Sequence, residues 1–306
     1  MRDFSVSIVI VNYNVKDLIL TCLKSIYEFS DKVLKIEIIV VDNNSHDDSC
    51  EAIKSNFPSV ILVENKSNEG FPKANNQGFR IASGDFIFML NPDTEFVEDS
   101  LSKMLSFFSK ENNIDILAPK LLNSDKTNQQ SIWRYPSLKS VFCEMNYLTF
   151  WLKKKNYLDK NVAENFEIES CSGAAILFKK KILNQIGNLD ETMFWIEDID
   201  FCYRANKSNL KLIYFPETKI IHHIGQSAKK NYKISLSNQI FNKIKFFKKH
   251  YSFASFFLVT LLSIYHILIK IFIFGLLSPF KKVYFRKFQA YIYTFPKVFN
   301  PPKGIK

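Results

Sequence analysis

"FIFMLNPDTEF" (residues 86–96) carries an apolar run straight into Asn91-Pro92-Asp93 and adds a further acid, Glu95, where an ordinary turn would place Gly or Ser. A strand that ends on a carboxylate delivers it to something. Its neighbours along the chain show what sheet it belongs to. "VSIVIVNYN" (6–14), "KIEIIVVDNNS" (35–45), "SVILVEN" (59–65) and "IDILAPKLL" (114–122) are short β-branched runs bounded by polar turn residues. The segments that separate the strands up to residue 90, and "EDSLSKMLSFFSKEN" (98–112), read as helices. Near-continuous apolar strands alternating with helices predict an α/β fold, a mostly parallel central sheet flanked by helices. In such sheets ligands bind beyond the carboxyl ends of the strands. That rule sets Asn12 and Asn14, Asp42 with Asn43 and Asn44, and Asn91 with Asp93 along one rim.

The 306 residues, 47% hydrophobic and 23% charged, leave room for one substantial core plus an appendage and exclude a disordered protein. The formal net charge is +11, and much of the basic excess follows residue 229, where Lys, Phe, Ile and Tyr alternate without balancing acids. Basic residues that flank long apolar runs suit an anionic membrane surface better than a nucleic-acid groove. A membrane surface is therefore an expected partner, and nucleic acid is not. Five widely spaced cysteines (Cys22, Cys50, Cys143, Cys171, Cys202) without a C-x-x-C pair indicate neither a disulfide framework nor a zinc site, and fit a reducing cytosol. The apolar stretch at the N-terminus reaches two asparagines within a few residues, too short for a secretory signal or a span. With no G-x-G-x-x-G, no G-x-x-x-x-G-K-[ST] and only 8 glycines, a dinucleotide-binding fold or a P-loop enzyme is disfavoured. The rim must hold its ligand through side-chain carboxylates and amides, with a metal carrying any phosphates.

From about residue 123 to 170 the pattern loosens into polar and aromatic residues, a surface excursion. Residues 171–225 resume compact structure: a strand, a short helix, an acidic turn, a helix and two strands. The expected organisation is a globular domain over 1–228 and a helical, basic, membrane-associating region over 229–306.

"SIVIVNYN", "VVDNNS", "NEGFPKANNQGF" (68–79), "LNPDTEF" and "WIEDIDFCYRA" (195–205), in this order and spacing, resemble family-2 glycosyltransferases of the GT-A fold. That fold is Rossmann-like, with a mostly parallel central sheet, and the likeness is greatest to the rhamnosyltransferase-type branch over about residues 5–225. The resemblance implies a nucleoside-diphosphate sugar at the rim beside Asn12, Asn14 and Asn44, with Asp42 accepting a hydrogen bond from base or ribose. The alternative for Asp42 is to cap the following helix, and both hold if Ser45 or Asp47 does the capping. Gly70 and Gly78 let backbone approach closely, and Asn75 and Asn76 offer amides that donate and accept; in the family this segment lies under the diphosphate. Expelling a diphosphate needs a divalent cation bridging its oxygens. The family's D-x-D stands here as Asn91-Pro92-Asp93, so Asp93 is the expected ligand of Mg²⁺ or Mn²⁺, and Asn91 is left for ribose or a metal-bound water.

Glu197, Asp198 and Asp200 crowd one turn at a helix start, where mutual repulsion raises at least one pKa and the helix dipole opposes the shift. The resemblance makes Asp198 the general base, while Glu197 is an orienting or structural acid. Asp200 anchors the loop or pairs with Arg204, four residues on. Strand alternation points His222 and His223 to opposite faces, and the resemblance assigns His222 to the metal or the diphosphate. Gly173 leaves room for a sugar and Trp195 offers an apolar wall, with ordinary packing the alternative for each. No Q-x-x-R-W element follows the acids, which argues for one sugar per acceptor.

"SFASFFLVTLLSIYHILIKIFIFGLLSPF" (252–280) would reach about 40 Å as a helix, long enough to span a bilayer. Its polar residues Ser252, Ser255, Thr260, Ser263, His266 and Lys270 nevertheless fall within one arc of roughly 140°. Basic residues flank both ends, so a single crossing strands one cluster on the wrong side. An in-plane helix or a re-entering hairpin on the cytoplasmic leaflet fits better, with a true span and a helix of a soluble homo-oligomer as alternatives.

The expected activity is inverting transfer of one sugar, dTDP-rhamnose by resemblance with UDP- or GDP-sugars open, to a hydroxyl of a glycan or lipid-linked acceptor in cell-surface polysaccharide synthesis. The expected place is the cytoplasmic face of a bacterial inner membrane, held peripherally or monotopically. A nucleotidyltransferase would need a Gly- and basic-rich first loop, whereas the loop here is "NYNVKD". A catalytically inactive sugar-nucleotide-binding or scaffold protein is the other reading, made plausible by the reduced D-x-D.

Overall fold

The computed structural model describes residues 4–31, 33–111, 113–146, 162–223 and 232–299; parts of the excursion (147–161) and of the link to the tail (224–231) lie outside the described residues. The first half alternates as its hydrophobic pattern requires: β1 (Ser5–Asn12), α1 (Lys16–Phe29), β2 (Lys35–Asp42), α2 (Ser49–Asn56), β3 (Ile61–Glu64), α3 (Phe71–Ile81) and β4 (Phe86–Leu90). β1 pairs in parallel with β2 and β4, and β2 with β3. Parallel strands need crossover helices, which cover both faces of the sheet, so every residue of β4 is buried.

The second half supplies β5 (Thr94–Phe96), α4 (Ser100–Lys110), β6 (Ile116–Leu122), β7 (Ile132–Trp133), α5 (Leu138–Met145), β8 (Phe166–Glu167), β9 (Ser170–Cys171), β10 (Ala175–Lys179), α6 (Leu183–Ile186), α7 (Glu197–Lys207) and β11 (Leu212–His222). Among the described residues the main sheet runs β3-β2-β1-β4-β10-β6-β11-β5, with β8 on β11. β10 enters antiparallel to β4 and β6, so the sheet is mixed. The two strands expected after α7 are one. β11 runs through Pro216, and its register with β6 shifts between Phe215 and Lys219, so an irregularity absorbs the residue that cannot donate. The excursion is not wholly on the surface either, since Gln129, Ser131, Val141 and Cys143 are buried.

Side chains alternate across the sheet with period two. Ile8, Ile10, Phe88 and Phe96 join α1 and α4 on one face, and Val9, Val11 and Met89 join Ala74, Phe79 and Phe201 of α3 and α7 on the other. A third cluster ties Met193 and Ile196, just before α7, to Ile240, Phe246, Phe247, Val259, Ile267 and Tyr291 of the tail helices α8 (Tyr232–His250), α9 (Phe253–Leu277) and α10 (Lys282–Phe299). The polar arc of α9 faces the protein. Ser263 and Lys270 are buried, and His266 Nδ1 donates to the Met145 carbonyl of α5 at 2.9 Å. The exposed arc of α9 is apolar, with Phe253, Phe257, Leu261, Tyr265, Leu268, Phe272 and Leu276 turned outward.

Asp200 fastens the tail to α7. Fully buried, it takes Arg204 Nε at 2.8 Å, Lys249 Nζ at 2.8 Å and His250 Nε2 at 2.6 Å. Burial works to raise its carboxyl, but His250, Arg204 and Lys249 outweigh that and hold it well below the usual carboxylate range. Removing one member of a buried charge cluster leaves the others uncompensated. Asp200→Ala is expected to lower unfolding free energy by about 3 kcal/mol in denaturant titration, and a loss under about 1 kcal/mol would show that the cluster holds nothing together.

Candidate active site

The strand ends assemble the site. Asn12 stands opposite Asp42 where β1 and β2 finish, β4 ends beside them, and antiparallel β10 begins at the same rim with Ala175 opposite Leu90. β11 arrives there with His222 opposite Thr94.

At the β1–β2 end, buried Asp42 accepts from Asn12 Nδ2 (2.7 Å), Ser45 Oγ (2.6 Å) and Ser45 N–H (2.8 Å), closing a turn. It does not cap α2; Asp47 instead accepts from the Ser49 N–H at the first residue of that helix (3.2 Å). Asn12 Oδ1 is buried and has no partner among the described residues. Asn14 (φ 53°) accepts from the His46 N–H at 2.7 Å, so its carbonyl oxygen ties two loops together. Half-buried Asn44 (φ 66°) has Nδ2 3.3 Å from His46 Nε2. Gly70, at φ 85°, starts α3 in a conformation that favours glycine. Asn75 donates to the Phe71 carbonyl (3.0 Å), and its Oδ1 is buried without a partner. Asn76 is consumed by structure, donating to the Leu189 carbonyl (2.9 Å) and accepting from the Leu189 N–H (3.0 Å).

At the end of β4, Asp93 Oδ1 lies 3.2 Å from His222 Nε2, and Asn91 Nδ2 lies 3.5 Å from the same nitrogen. Asn91 Oδ1 is buried without a partner. His223 is engaged elsewhere, between Ser124 Oγ (2.8 Å) and Glu95 Oε2 (3.0 Å), which also occupies the second acid of the opening motif. A side chain that sequence reasoning missed, Gln129, places Oε1 2.8 Å from His222 Nδ1. It comes from a polar stretch without periodicity, so no pattern marked it.

No three His, Cys, Asp or Glu side chains among the described residues form a metal cluster. One carboxylate and one imidazole nitrogen do converge, and their 3.2 Å spacing is near the ~3.0 Å edge of an octahedron with bonds of about 2.1 Å. The pair fits a hard divalent cation whose remaining positions are filled by water and phosphate oxygens.

The third part is joined to this one by backbone. Asn91 N–H donates to the Ala174 carbonyl (2.8 Å), and the adjacent Gly173 N–H donates to Asp198 Oδ2 (2.9 Å). Asp93 and Asp198 therefore stand on one rim. A Cβ at Gly173 would come within 3.3 Å of both Asp198 Cβ and Met89 Cε, so the missing side chain is what lets Asp198 sit there. Burial pushes Asp198 up to about 6 against the Gly173 and Ile199 N–H groups that favour its charged form. Burial, and secondarily the charge of Asp198, push Glu197 up to about 8. Both neighbouring carboxyls are thus pushed above the ordinary carboxylate range, with burial the first cause for each. Trp195 is held at φ 76°, a costly conformation for an aromatic residue, with its ring half exposed just before the two acids. A separate cleft of about 1040 Å³, lined by Arg80, Lys179 and Lys180, opens at the amino ends of the strands, away from these acids.

Such a sheet is shared with sugar-transferring enzymes of the GT-A fold. GalNAc-T7, solved with UDP, GalNAc and Mn²⁺, superposes with a TM-score of 0.57 at 16% identity over 73% of this chain, which spans 44% of that one. The mannosyltransferase PcManGT of Pyrobaculum calidifontis, solved with GDP-Man and Mn²⁺, gives 0.56 at 14% identity, covering 98% of this chain and 88% of that one. Residues 7–187 match the sequence model of Glycosyl transferase family 2, and the chain belongs to that family. Relatives include the low-salt glycan biosynthesis hexosyltransferase Agl10 of Haloferax volcanii, 24% identical over 78% of this chain and 76% of the relative. An N-acetylglucosaminyl-diphospho-decaprenol L-rhamnosyltransferase of Mycobacterium tuberculosis is 23% identical over 63% of this chain and 68% of the relative.

The raised Glu197 carboxyl has a signed consequence. The folded state holds a proton that the unfolded chain releases near its ordinary 4.5, so this contribution to stability falls as pH climbs from there through about 8. Glu197→Gln abolishes the loss, and relative to wild type it is expected to gain on the order of 2 kcal/mol at pH 8 and much less at pH 5. Denaturant unfolding at the two pH values checks this, and an equal effect at both would contradict it.

Proposed function

We propose that the chain is an inverting glycosyltransferase moving one sugar from a nucleoside-diphosphate sugar to a hydroxyl of a glycan or lipid-linked acceptor in cell-surface polysaccharide synthesis. The observation that carries this reading is the hydrogen-bonded path from Asp93 and His222 through Asn91, Ala174 and Gly173 to Asp198. Asp42 and Asn12, with the unpartnered Oδ1 atoms of Asn12 and Asn75, offer acceptors to the donor hydroxyl and N–H groups of ribose and base. Asn44 and Gly70 lie in the loops that follow β2 and β3, and Tyr13, 44% exposed, directly follows Asn12. Asp93 and His222 would hold Mg²⁺ or Mn²⁺, with Asn91 beside them; when bound, the cation neutralises charge on the departing diphosphate. Asp198 takes the proton of the acceptor hydroxyl as its oxygen attacks the anomeric carbon from the side opposite the diphosphate, so that one displacement inverts the configuration. Glu197, buried next to it and accepting from the Ile196 N–H (3.0 Å), is the orienting acid. Trp195 offers its ring to a sugar face.

The rhamnosyltransferase relative favours dTDP-rhamnose and a polyprenyl-diphosphate acceptor. UDP- and GDP-sugars are supported by the ligands of the two solved neighbours. A screen of dTDP-, UDP- and GDP-sugars by thermal shift with and without Mn²⁺, followed by product detection, identifies the donor and separates an enzyme from a protein that only binds it. Asp198→Asn is expected to keep donor binding and lose about 10² to 10⁴ in turnover. In wild type, turnover is expected to fall about tenfold per pH unit below about 6, as the base becomes protonated, and wild-type turnover in the variant would refute the assignment.

The tail reads as a monotopic anchor on the cytoplasmic face of the inner membrane. α9 is the one helix among the described residues long and apolar enough to cross a bilayer. Its midpoint is nevertheless occupied by α5 through the His266–Met145 bond, and α5 carries a Glu144–Lys243 ion pair that hydrocarbon would not accept. A helix lying in the interface with its apolar arc in lipid, and Lys281, Lys282 and Arg286 near anionic head groups, satisfies both constraints. The outward residues Leu261 (47% exposed) and Phe272 (68%) make few internal contacts. Leu261→Glu with Phe272→Glu is therefore expected to leave the melting temperature within about 3 °C and to abolish co-sedimentation with phosphatidylglycerol vesicles. Undiminished sedimentation would overturn the anchor.

A further inference from the structure

The hairpin after β6 folds back beneath β11, and one of its side chains is wired to the ring of His222. Gln129, 8% exposed, donates from Nε2 to the His222 carbonyl (2.9 Å) and to Asn123 Oδ1 (3.1 Å). Asn123 is itself oriented, its Nδ2 donating to Thr127 Oγ1 (2.9 Å). With the amide nitrogen of Gln129 committed to two oxygens, the atom that faces His222 Nδ1 at 2.8 Å is Oε1, which can only accept. Nδ1 must therefore carry a proton. In the neutral ring Nε2 is then the nitrogen with the lone pair; it lies 3.2 Å from Asp93 Oδ1 and 3.5 Å from Asn91 Nδ2, an amide that can donate to it.

We propose that Gln129 is a positioning residue, which fixes the proton of His222 on Nδ1 and leaves Nε2 ready, beside Asp93, for a divalent cation. The inference rests on the metal reading above. A histidine ligand that donates its second N–H to an oxygen is held in one orientation and made a better donor, and loss of that partner typically weakens metal binding about 10- to 100-fold. Gln129 also holds the hairpin, and the two roles use different atoms of the same amide. The hairpin depends on its N–H donors; the ring depends on its oxygen.

Two substitutions separate them. Gln129→Met removes both, whereas Gln129→Glu removes the donors but keeps an acceptor for Nδ1–H. With Mn²⁺ alone as probe and the full chain in detergent, electron paramagnetic resonance is expected to show about 10- to 100-fold weaker binding for Gln129→Met and a change within about threefold for Gln129→Glu. Nitrogen-15 spectra of the histidine rings are expected to find His222 Nδ1 protonated in wild type and in Gln129→Glu, and bare in Gln129→Met. If the two variants weaken Mn²⁺ binding equally, Gln129 serves only the hairpin and the proposal is overturned. A bare Nδ1 in wild type overturns it without any variant, so a misfolded mutant does not shelter it. Wild type that binds no Mn²⁺, yet keeps a Gln129-dependent proton on Nδ1, removes the metal reading while the proton assignment stands.

Discussion

The antiparallel seating of β10 against β4 is the constraint from which the site follows. β4 ends at Leu90, and the bond from the N–H of the next residue, Asn91, to the Ala174 carbonyl (2.8 Å) brings the start of β10 against the acid-bearing turn. One residue further, the Gly173 N–H holds Asp198. A carboxylate from the first third of the chain, Asp93, and one from its middle third, Asp198, are thereby fixed to the same sheet edge by backbone, the least mobile material available. Side chains need supply only the chemistry.

Two aspartates on α7 show how environment, not residue type, sets acidity. Asp198 and Asp200 are two positions apart, which on a helix means opposite faces. Asp200 points inward to Arg204, Lys249 and His250 and is held far down; Asp198 points to the rim, relies on backbone N–H groups, and is pushed up to about 6. The first suits a fastener, since a permanently charged group keeps its partners. The second suits a group that must take and release a proton near neutrality. Because both sit on one helix, the tail that supplies His250 and Lys249 is mechanically continuous with the proposed base.

The tail inverts the usual arrangement of a water-exposed helix. His266 of α9 bonds to α5 and lies beside Tyr291 of α10, and Ser263, which donates to the Val259 carbonyl of its own helix, and Lys270 are buried, while aromatic and aliphatic side chains face out. Exposing such a stripe to water is unfavourable by the area it presents, and lipid removes that cost. In the proposed anchor, the positive charge that follows residue 229 would meet anionic head groups.

Strand and helix order through residue 122, apart from the three-residue β5, was legible because the longer elements there carry periodic or continuous apolar runs, and such patterns are a local property. So was the placement of Asn12, Asp42, Asn91 and Asp93 on one rim, since parallel strands in such a sheet end together. The two strands expected after α7 proved to be one, because a register irregularity in the pairing with β6 between Phe215 and Lys219 absorbs a residue that cannot donate. Gln129 was invisible because its partner lies 93 positions away and nothing in a polar hairpin announces what it will touch. The direction of the polar arc on α9 was equally hidden, since a helical wheel gives the angle between residues but not which side meets protein. By itself, then, the sequence determined the elements, the edge at which acids and amides gather, and the amphipathic character of the tail, all consequences of short-range spacing. Tertiary structure alone decided which amides keep a free oxygen, which side chain faces each nitrogen of His222 and which aspartate of α7 meets the cations of the tail, because those depend on neighbours that only packing brings within about 3 Å.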